Sequence, residues 1–222
     1  MFGDASETGS RIRIKICGIT NAADALAAID YGADAIGFNF YPRSKRYIDI
    51  KTAREWIEKL PLEICKVAVL VDPTWAEACR ISELPFIDAL QLHGNESPEF
   101  CQRLAETGIR FAKALPVRDP QSLTDIPSFS TDTVVLDSAS RGEFGGAGKT
   151  FPWQWARGFI EAHPAFRVIL AGGLTPKNVA QAVSEVRPFG VDVTTGVESV
   201  PGRKDHTLLR AFIEAARDRR TV

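Results

Sequence analysis

A cysteine ends the first apolar run of the chain, in the sequence Arg-Ile-Lys-Ile-Cys-Gly at positions 13–18. Because successive side chains of a strand point to opposite faces, Arg13, Lys15 and Cys17 share one face and the isoleucines share the other. A thiol beside two cations, at a strand end followed by a glycine turn, is suited to proton transfer or nucleophilic chemistry. The alternative is that Cys17 is a small buried hydrophobic side chain.

Titratable side chains end two other apolar runs, at His93 and at Asp137. Asp137 has the parity of Val135, so a buried Val135 directs the carboxyl group to the inner face of the same sheet. A thiol and a carboxyl group at one mouth can act as base and acid, although a helix cap or a structural hydrogen bond is the alternative for Asp137. His93 either caps a loop or contacts a substrate. Lys15 and Asp192 are expected to pair, because an unpaired interior charge is costly.

Two glycine-containing turns could hold an anion. Gly172 and Gly173 end one apolar run, and Thr195 and Gly196 end the last one. Glycines allow backbone amides to approach a phosphate closely, and Thr175, followed by proline, is expected to cap a helix beside the first turn. The alternative for the first turn is a tight turn without a ligand.

A cationic segment, Tyr-Pro-Arg-Ser-Lys-Arg-Tyr at 41–47, places three cations beside two aromatic rings. This composition suits an anionic planar ligand or RNA, and an isolated cluster in a nearly neutral chain favours a small anion. Arg46 is the candidate for forked recognition of a carboxylate.

The sequence Gly-Gly-Ala-Gly-Lys-Thr at 145–150 resembles the end of a P-loop, but the motif requires glycine at position 143, where the chain has Glu143. We therefore predict a flexible loop that closes over the site, with Lys149 either solvated or directed towards the substrate.

Eight short β-branched runs alternate with amphipathic segments, and the segment after the fifth run is the least helical. This alternation predicts an α/β fold, a closed (β/α)8 TIM barrel of parallel strands, since an open doubly wound sheet more often stops at five or six strands. The predicted strands cover 12–17, 35–40, 66–71, 89–93, 110–115, 133–137, 167–171 and 191–195.

A parallel barrel places its active site at the carboxyl ends of its strands, which brings Cys17, His93, Asp137 and the glycine turns to one mouth. No change in composition suggests a second domain. We predict a disordered extension at 1–10 and one barrel domain at 11–222.

Composition narrows the classes of function. Of the 222 residues, 45% are hydrophobic and 25% are charged, as in ordinary globular proteins. The net charge of −1 gives no overall positive electrostatic field that would attract nucleic acid. No apolar run approaches the ~20 residues that span a bilayer, and residues 1–10 lack the apolar core of a secretory signal. The other three cysteines, Cys65, Cys79 and Cys101, show neither the spacing of a zinc site nor that of a disulfide framework. We expect a cytoplasmic protein with no bound metal, no nucleic-acid partner and no membrane contact.

A series of motifs in fixed order resembles the phosphoribosylanthranilate isomerase family, a barrel enzyme of tryptophan biosynthesis, over about residues 11–216. The motifs are Lys-Ile-Cys-Gly-Ile-Thr at 15–20, Gly-Ala-Asp-Ala-Ile-Gly-Phe at 32–38, Tyr-Pro-Arg-Ser-Lys-Arg-Tyr-Ile at 41–48, Gln-Leu-His-Gly at 91–94, Leu-Asp-Ser at 136–138, Gly-Gly-Ala-Gly-Lys-Thr-Phe at 145–151, Gly-Gly-Leu at 172–174 and Gly-Val-Asp-Val at 190–193.

The resemblance implies an Amadori rearrangement of N-(5'-phosphoribosyl)anthranilate, with Asp137 as general acid and Cys17 as general base. It further implies that Arg46 binds the anthranilate carboxylate. No cofactor is implied, because the iminium intermediate is itself the electron sink. The chain departs from the usual serine pair of the family with two threonines after the eighth strand, which keeps the hydroxyl groups and adds methyl groups. The resemblance also implies that the phosphate binds at Gly172, Gly173, Thr195 and Gly196.

Three other functions stay open at this point. Related phosphosugar barrels, namely the ProFAR-type isomerase and indole-glycerol phosphate synthase, are disfavoured, because the first would have a carboxylate at Cys17 and the second a lysine pattern that is absent. A barrel that binds a phosphosugar for regulation without turnover is a second alternative, and RNA binding through the cationic segment is a third. The expected partner is a phosphosugar-anthranilate substrate, and both a monomer and a homodimer fit the sequence.

Overall fold

The computed structural model of the chain describes residues 11–138 and 150–218. Eight parallel strands close into a barrel in chain order, with β1 paired to both β2 and β8. The predicted (β/α)8 fold is confirmed, and each predicted strand agrees with the observed one to within two residues at either end. The barrel strands are β1 Arg13–Cys17, β2 Ala35–Asn39, β3 Cys65–Leu70, β4 Ala89–Leu92, β5 Phe111–Val117, β6 Thr133–Ser138, β7 Arg167–Leu170 and β8 Gly190–Val193.

The two faces of the strands form two separate apolar layers. Ile14 and Ile16 of β1 are fully buried between the barrel and the surrounding helices, as their alternation predicts. The barrel interior holds a smaller cluster that includes Val67, Val135 and Ile169. Because Val135 lies in this interior cluster, the parity of β6 directs the Asp137 side chain to the mouth.

Helices cover the outside of the barrel after every strand except β5. There, two short 3-10 helices, Pro120–Leu123 and Ile126–Phe129, replace an α-helix, in agreement with the weak helical pattern of that segment. The α-helices are α1 Ala22–Asp30, α2 Ile50–Ile57, α3 Trp75–Ser82, α4 Pro98–Glu106, α5 Trp153–Ala162, α6 Val179–Val186 and α7 His206–Arg217.

The prediction that Thr175 caps the helix after β7 is wrong, because α6 begins at Val179. The side chain of Asn178 accepts a hydrogen bond from the backbone N–H of Thr175 at 2.7 Å and donates one to the carbonyl of Gly173 at 3.0 Å. These two bonds stabilise a turn ahead of the helix and tie it to the second glycine of the Gly172–Gly173 pair.

A short antiparallel hairpin follows β8, which the sequence patterns did not predict. Its strands are β9 Glu198–Val200 and β10 Arg203–Lys204, and Gly202 adopts a φ of +82° in the turn between them. The hairpin returns the chain to the carboxyl end of β1, where it places Glu198 and Lys204 beside the mouth of the barrel.

Two predicted segments, the extension at 1–10 and the loop carrying Gly145 to Lys149, lie outside the described residues, and the domain boundaries stay a prediction. Within 11–138 and 150–218, no helix has the length and apolar character needed to cross a bilayer.

Candidate active site

The carboxyl ends of the strands surround an open cavity of about 650 Å³, its mouth included. Of the predicted site residues that the structure describes, only Gly196 is absent from the cavity lining. A Cβ atom at Gly196 would lie 1.9 Å from the carbonyl oxygen of Leu174, so this glycine allows the loops after β7 and β8 to pack together. The predicted residues that line the cavity are Cys17, Arg46, His93, Asp137, Gly172, Gly173 and Thr195.

Cys17 is buried at the last position of β1, with its thiol at the floor of the cavity. The next residue, Gly18, adopts a φ of +73°, which turns the chain sharply after the thiol. A Cβ atom at Gly18 would lie 2.7 Å from Cδ of Arg46, so the arginine side chain crosses directly over this turn. Gly18 therefore ends the strand and leaves room for the side chain of Arg46, the predicted carboxylate-binding residue.

Lys15 lies two residues before Cys17, on the same face of β1, and is fully buried. Its Nζ donates to both carboxylate oxygens of Asp192 at 3.1 Å, which confirms the predicted pair. Burial acts to lower the pKa of Lys15, but the Asp192 carboxylate and the adjacent Cys17 side chain outweigh it, and the pKa lies above its ordinary value. The ammonium group therefore stays charged directly beneath the thiol.

Gly37 of β2 provides the space in which the thiol and the ammonium group meet. It pairs with Cys17 across the sheet, and a Cβ atom at this position would lie 2.9 Å from Sγ of Cys17 and 3.0 Å from Nζ of Lys15. Since the lysine is held by Asp192, neither group can move aside without cost.

On the prediction that the Cys17 thiol is the base, we expect Gly37→Ala to displace it and to lower kcat by about tenfold to hundredfold, because displacing a reacting group by about 1 Å has an effect of that order. Gly158→Ala is the matched control: Gly158 is exposed within α5, nothing lies within 4 Å of a Cβ there, and alanine should stabilise the helix by about 0.5–1 kcal/mol. Steady-state kinetics and thermal unfolding of both variants check this. An unchanged kcat in a folded Gly37→Ala protein would show that the thiol position is not critical.

Asp137 and His93 face each other across the cavity from β6 and from the end of β4. Nε2 of His93 lies 3.4 Å from Oδ2 of Asp137, and Nδ1 of His93 lies 3.1 Å from Nε2 of Gln91. Oδ1 of Asp137 is buried and has no hydrogen-bond partner within the described chain. The structure therefore brings His93 to the carboxyl group, whereas the sequence left its place open between a loop cap and the site.

The cation Arg46 is held by Glu198 of the hairpin. Nε of Arg46 lies 2.9 Å from Oε1 of Glu198, and Nη2 lies 2.6 Å from Oε2, a forked arrangement in which the guanidinium group has one orientation. Burial acts to raise the pKa of Glu198, but the hydrogen bond from Arg46 and the nearby Lys204 outweigh it and lower the pKa. Of the three cations of the segment 41–47, Arg46 enters the cavity lining, while Arg43 and Lys45 are exposed.

Lys204 ties the hairpin to the strand ends that carry the site. Its buried Nζ donates to the backbone carbonyl of Cys17 at 2.6 Å, to that of Thr194 at 3.2 Å and to Oε1 of Glu198 at 3.2 Å. Burial lowers the pKa of Lys204, and Glu198 offsets part of this effect. Sequence reasoning missed both Glu198 and Lys204, because their positions depend on the return of the hairpin and no local pattern signals it.

The glycine turns after β7 and β8 lie beside each other at the rim. Gly172 and Gly173 adopt φ values of +81° and +66°, and a Cβ atom at Gly172 would lie 2.3 Å from the backbone nitrogen of Ser138. Thr195 begins a short 3-10 helix, Thr195–Val197, in the adjacent loop. Backbone amides of two neighbouring loops are thus available at the position where barrels commonly bind phosphate.

A closed (β/α)8 barrel with a polar cavity at the carboxyl ends of its strands is the arrangement of a barrel enzyme. The family model described as N-(5'phosphoribosyl)anthranilate (PRA) isomerase matches residues 14–215. The chain belongs to this family, and it is an isomerase.

Relatives and solved structures agree with that assignment. The chain is 44% identical to the N-(5'-phosphoribosyl)anthranilate isomerase of Thermotoga neapolitana over 207 residues, which cover 93% of this chain and 98% of the relative. The crystal structure of phosphoribosyl anthranilate isomerase from Thermotoga maritima is similar with a TM-score of 0.84 and 39% identity, over 92% of this chain and 98% of that one. A complex of such an isomerase with reduced 1-(o-carboxyphenylamino)-1-deoxyribulose 5-phosphate is similar with a TM-score of 0.80 and 38% identity, over the same shares.

Proposed function

We propose that the protein converts N-(5'-phosphoribosyl)anthranilate to 1-(2-carboxyphenylamino)-1-deoxyribulose 5-phosphate, with Asp137 as general acid and Cys17 as general base. The observation that carries this assignment is the placement of the two groups: Cys17 is the last residue of β1, Asp137 is the next-to-last residue of β6, and both line one cavity. The rearrangement requires a proton donor at the ring oxygen and a proton acceptor at C2, two atoms that are both bonded to C1 of one sugar, and this cavity offers both groups.

The proposed reaction begins with proton transfer from the Asp137 carboxyl group to the ring oxygen of the ribose. The bond between C1 and the ring oxygen breaks, its electron pair stays on the protonated oxygen, and the anthranilate nitrogen forms an iminium with C1. The Cys17 thiolate then removes the proton from C2, and the electron pair of the C–H bond moves into the iminium to give an enolamine. Tautomerisation of the enolamine moves a proton from the C2 hydroxyl group to C1 and yields the ketone, and the proton held by Cys17 returns to Asp137 through solvent. No bound cofactor takes part in these steps.

The carboxylate end of the substrate is proposed to bind at the cationic side of the mouth, and the phosphate end at the side formed by the glycine turns. Arg46, oriented by Glu198, takes the anthranilate carboxylate, since a guanidinium group matches a carboxylate geometrically. The loops of Gly172 and Gly173 and of Thr195 and Gly196 take the phosphate through backbone amides and a hydroxyl group. His93 contacts the substrate beside Asp137.

The cellular setting is part of the proposal as well. All four cysteines are free thiols, which supports a reducing compartment such as the cytoplasm. The oligomeric state, monomer or homodimer, stays a prediction that light scattering of the purified protein would decide.

The proposed substrate is tested by comparing freshly generated phosphoribosylanthranilate with ribosylanthranilate, which lacks the phosphate. Loss of anthranilate fluorescence reports turnover of either compound. We expect rapid turnover of the first compound and a kcat/KM at least about a hundredfold lower for the second, because each charge-assisted hydrogen bond contributes about 1.5–3 kcal/mol. Equal kcat/KM values would remove the glycine turns from substrate binding, and no turnover of either compound would overturn the proposed function.

A further inference from the structure

A fully buried glutamine, Gln91, lies directly below His93 on β4, and the acid–base pair alone gives it no role. The two side chains share the inner face because they are two residues apart along the strand. The amide nitrogen Nε2 of Gln91 lies 3.1 Å from Nδ1 of His93. The strand thus places the Gln91 amide nitrogen against one ring nitrogen and leaves the other ring nitrogen directed at Asp137.

The amide group of Gln91 restricts the protonation of the imidazole. An NH2 group only donates, so Nδ1 must accept and carry a lone pair, and a neutral imidazole then carries its proton on Nε2. Nε2 is the atom that lies 3.4 Å from Oδ2 of Asp137. This separation exceeds that of an ordinary hydrogen bond, but catalytic hydrogen bonds are often long before the substrate binds and shorten in the complex.

Asp137 needs a donor once it has given up its proton. The O–H bond of the carboxyl group breaks, the electron pair stays on the carboxylate, and a buried carboxylate without a hydrogen-bond donor is costly. Among residues 11–138 and 150–218, Oδ1 has no hydrogen-bond partner, and Nε2 of His93 lies 3.4 Å from Oδ2. Among the described residues, His93 is therefore the side chain placed to stabilise this carboxylate.

We propose that Gln91 is a positioning residue that holds His93 in the Nε2–H tautomer, so that His93 donates to Asp137 and stabilises the carboxylate formed by proton transfer to the substrate. This inference rests on the proposed role of Asp137 as the acid. The opposite tautomer, with the proton on Nδ1, would turn a bare lone pair of Nε2 towards the new carboxylate and repel it.

The tautomer itself is measurable without activity. The chain has three histidines, so uniform 15N labelling of histidine gives three ring systems, and the His93→Gln variant identifies the signals of His93. We expect the unprotonated nitrogen of His93 to couple to the ring protons as Nδ1 in the wild-type protein. Assignment of that nitrogen as Nε2 would overturn the inference, whatever the kinetics show.

Gln91→Met tests the link to catalysis, because methionine has a similar volume and no donor. We expect loss of the single Nε2–H tautomer and a decrease in kcat of about tenfold or more, with KM changed less than about twofold, since the lost interaction forms with the charge of the transition state. Unchanged 15N signals of His163 and His206 show that the fold is kept. A wild-type kcat together with an altered tautomer, or a wild-type tautomer in the variant, would overturn the proposal.

His93 variants keep the test decisive if Gln91→Met does not fold. An amide at position 93 can still donate to Asp137, so His93→Gln should retain about tenfold more kcat than the apolar His93→Leu. Equal kcat values for the two variants would contradict donation by His93. If the wild-type protein has the expected tautomer but does not turn over phosphoribosylanthranilate, the proposed function fails and the tautomer assignment stands.

Discussion

Asp137→Asn is expected to lower kcat for phosphoribosylanthranilate by about 10²–10⁴-fold, the contribution typical of a general acid. Asparagine has nearly the same shape as aspartic acid but cannot give a proton to the ring oxygen. Since the furanose ring must open before the iminium forms, the loss falls on the first chemical step. Stopped-flow measurement of the fluorescence loss gives kcat, and titration with a reduced product analogue shows whether the cavity still binds its ligand.

Asp132→Asn is the matched control for this prediction. Asp132 lies next to the opposite end of the same strand, with a side chain that is 59% exposed and 3.7 Å from Nε of Arg167. Removing its charge changes a surface ion pair, which contributes about 0–1 kcal/mol to stability, and should leave kcat unchanged. If Asp137→Asn kept kcat within tenfold of the wild-type value, another group would have to supply the proton.

The sequence was sufficient to predict the barrel and the group of residues at its mouth. Strand alternation fixes which side chains face inward, and a parallel barrel brings the last inward residue of each strand to one end, so Cys17, His93 and Asp137 could be placed together without a structure. The Lys15–Asp192 pair was predictable for a different reason, because two opposite charges inside one barrel must neutralise each other.

The contacts that hold Arg46 and Cys17 in place were not predictable, because they depend on how short segments fold back onto the barrel. Strands of three and two residues give no periodic signal, so the hairpin that brings Glu198 to Arg46 and Lys204 to the Cys17 carbonyl was missed. The sequence around Thr175 favours a helix N-cap at that residue, but the Asn178 side chain accepts a hydrogen bond from the backbone N–H of Thr175 and stabilises a turn there instead. Local propensity decides such a boundary only where no neighbouring side chain offers the backbone a better partner.

Cys17→Ser and Cys17→Ala are both expected to lower kcat by about 10²–10⁴-fold. Serine keeps the size of the side chain and a hydrogen-bonding group, but its hydroxyl group is a far weaker proton acceptor than a thiolate under working conditions. A similar loss in both variants therefore identifies the acceptor function of sulfur rather than the shape of the side chain. Because Lys15 and Gly37 contact the thiol from below and from β2, the serine hydroxyl should occupy the same position.

Cys101→Ala is the matched control for the cysteine variants. Cys101 is fully buried on α4, and burial raises the pKa of its thiol to about 11, so it is neither accessible nor ionised at neutral pH. Its replacement should lower the melting temperature and leave kcat unchanged, in contrast to Cys17→Ser.

A substrate deuterated at C2 separates the step of Cys17 from that of Asp137. Removal of the C2 proton by Cys17 predicts that the deuterium isotope effect on kcat increases in Cys17→Ser, where this step becomes slow. In Asp137→Asn ring opening limits the rate, so the isotope effect should approach unity. An isotope effect near unity in Cys17→Ser, despite a large loss of kcat, would show that the thiol acts in another step and would require a different base.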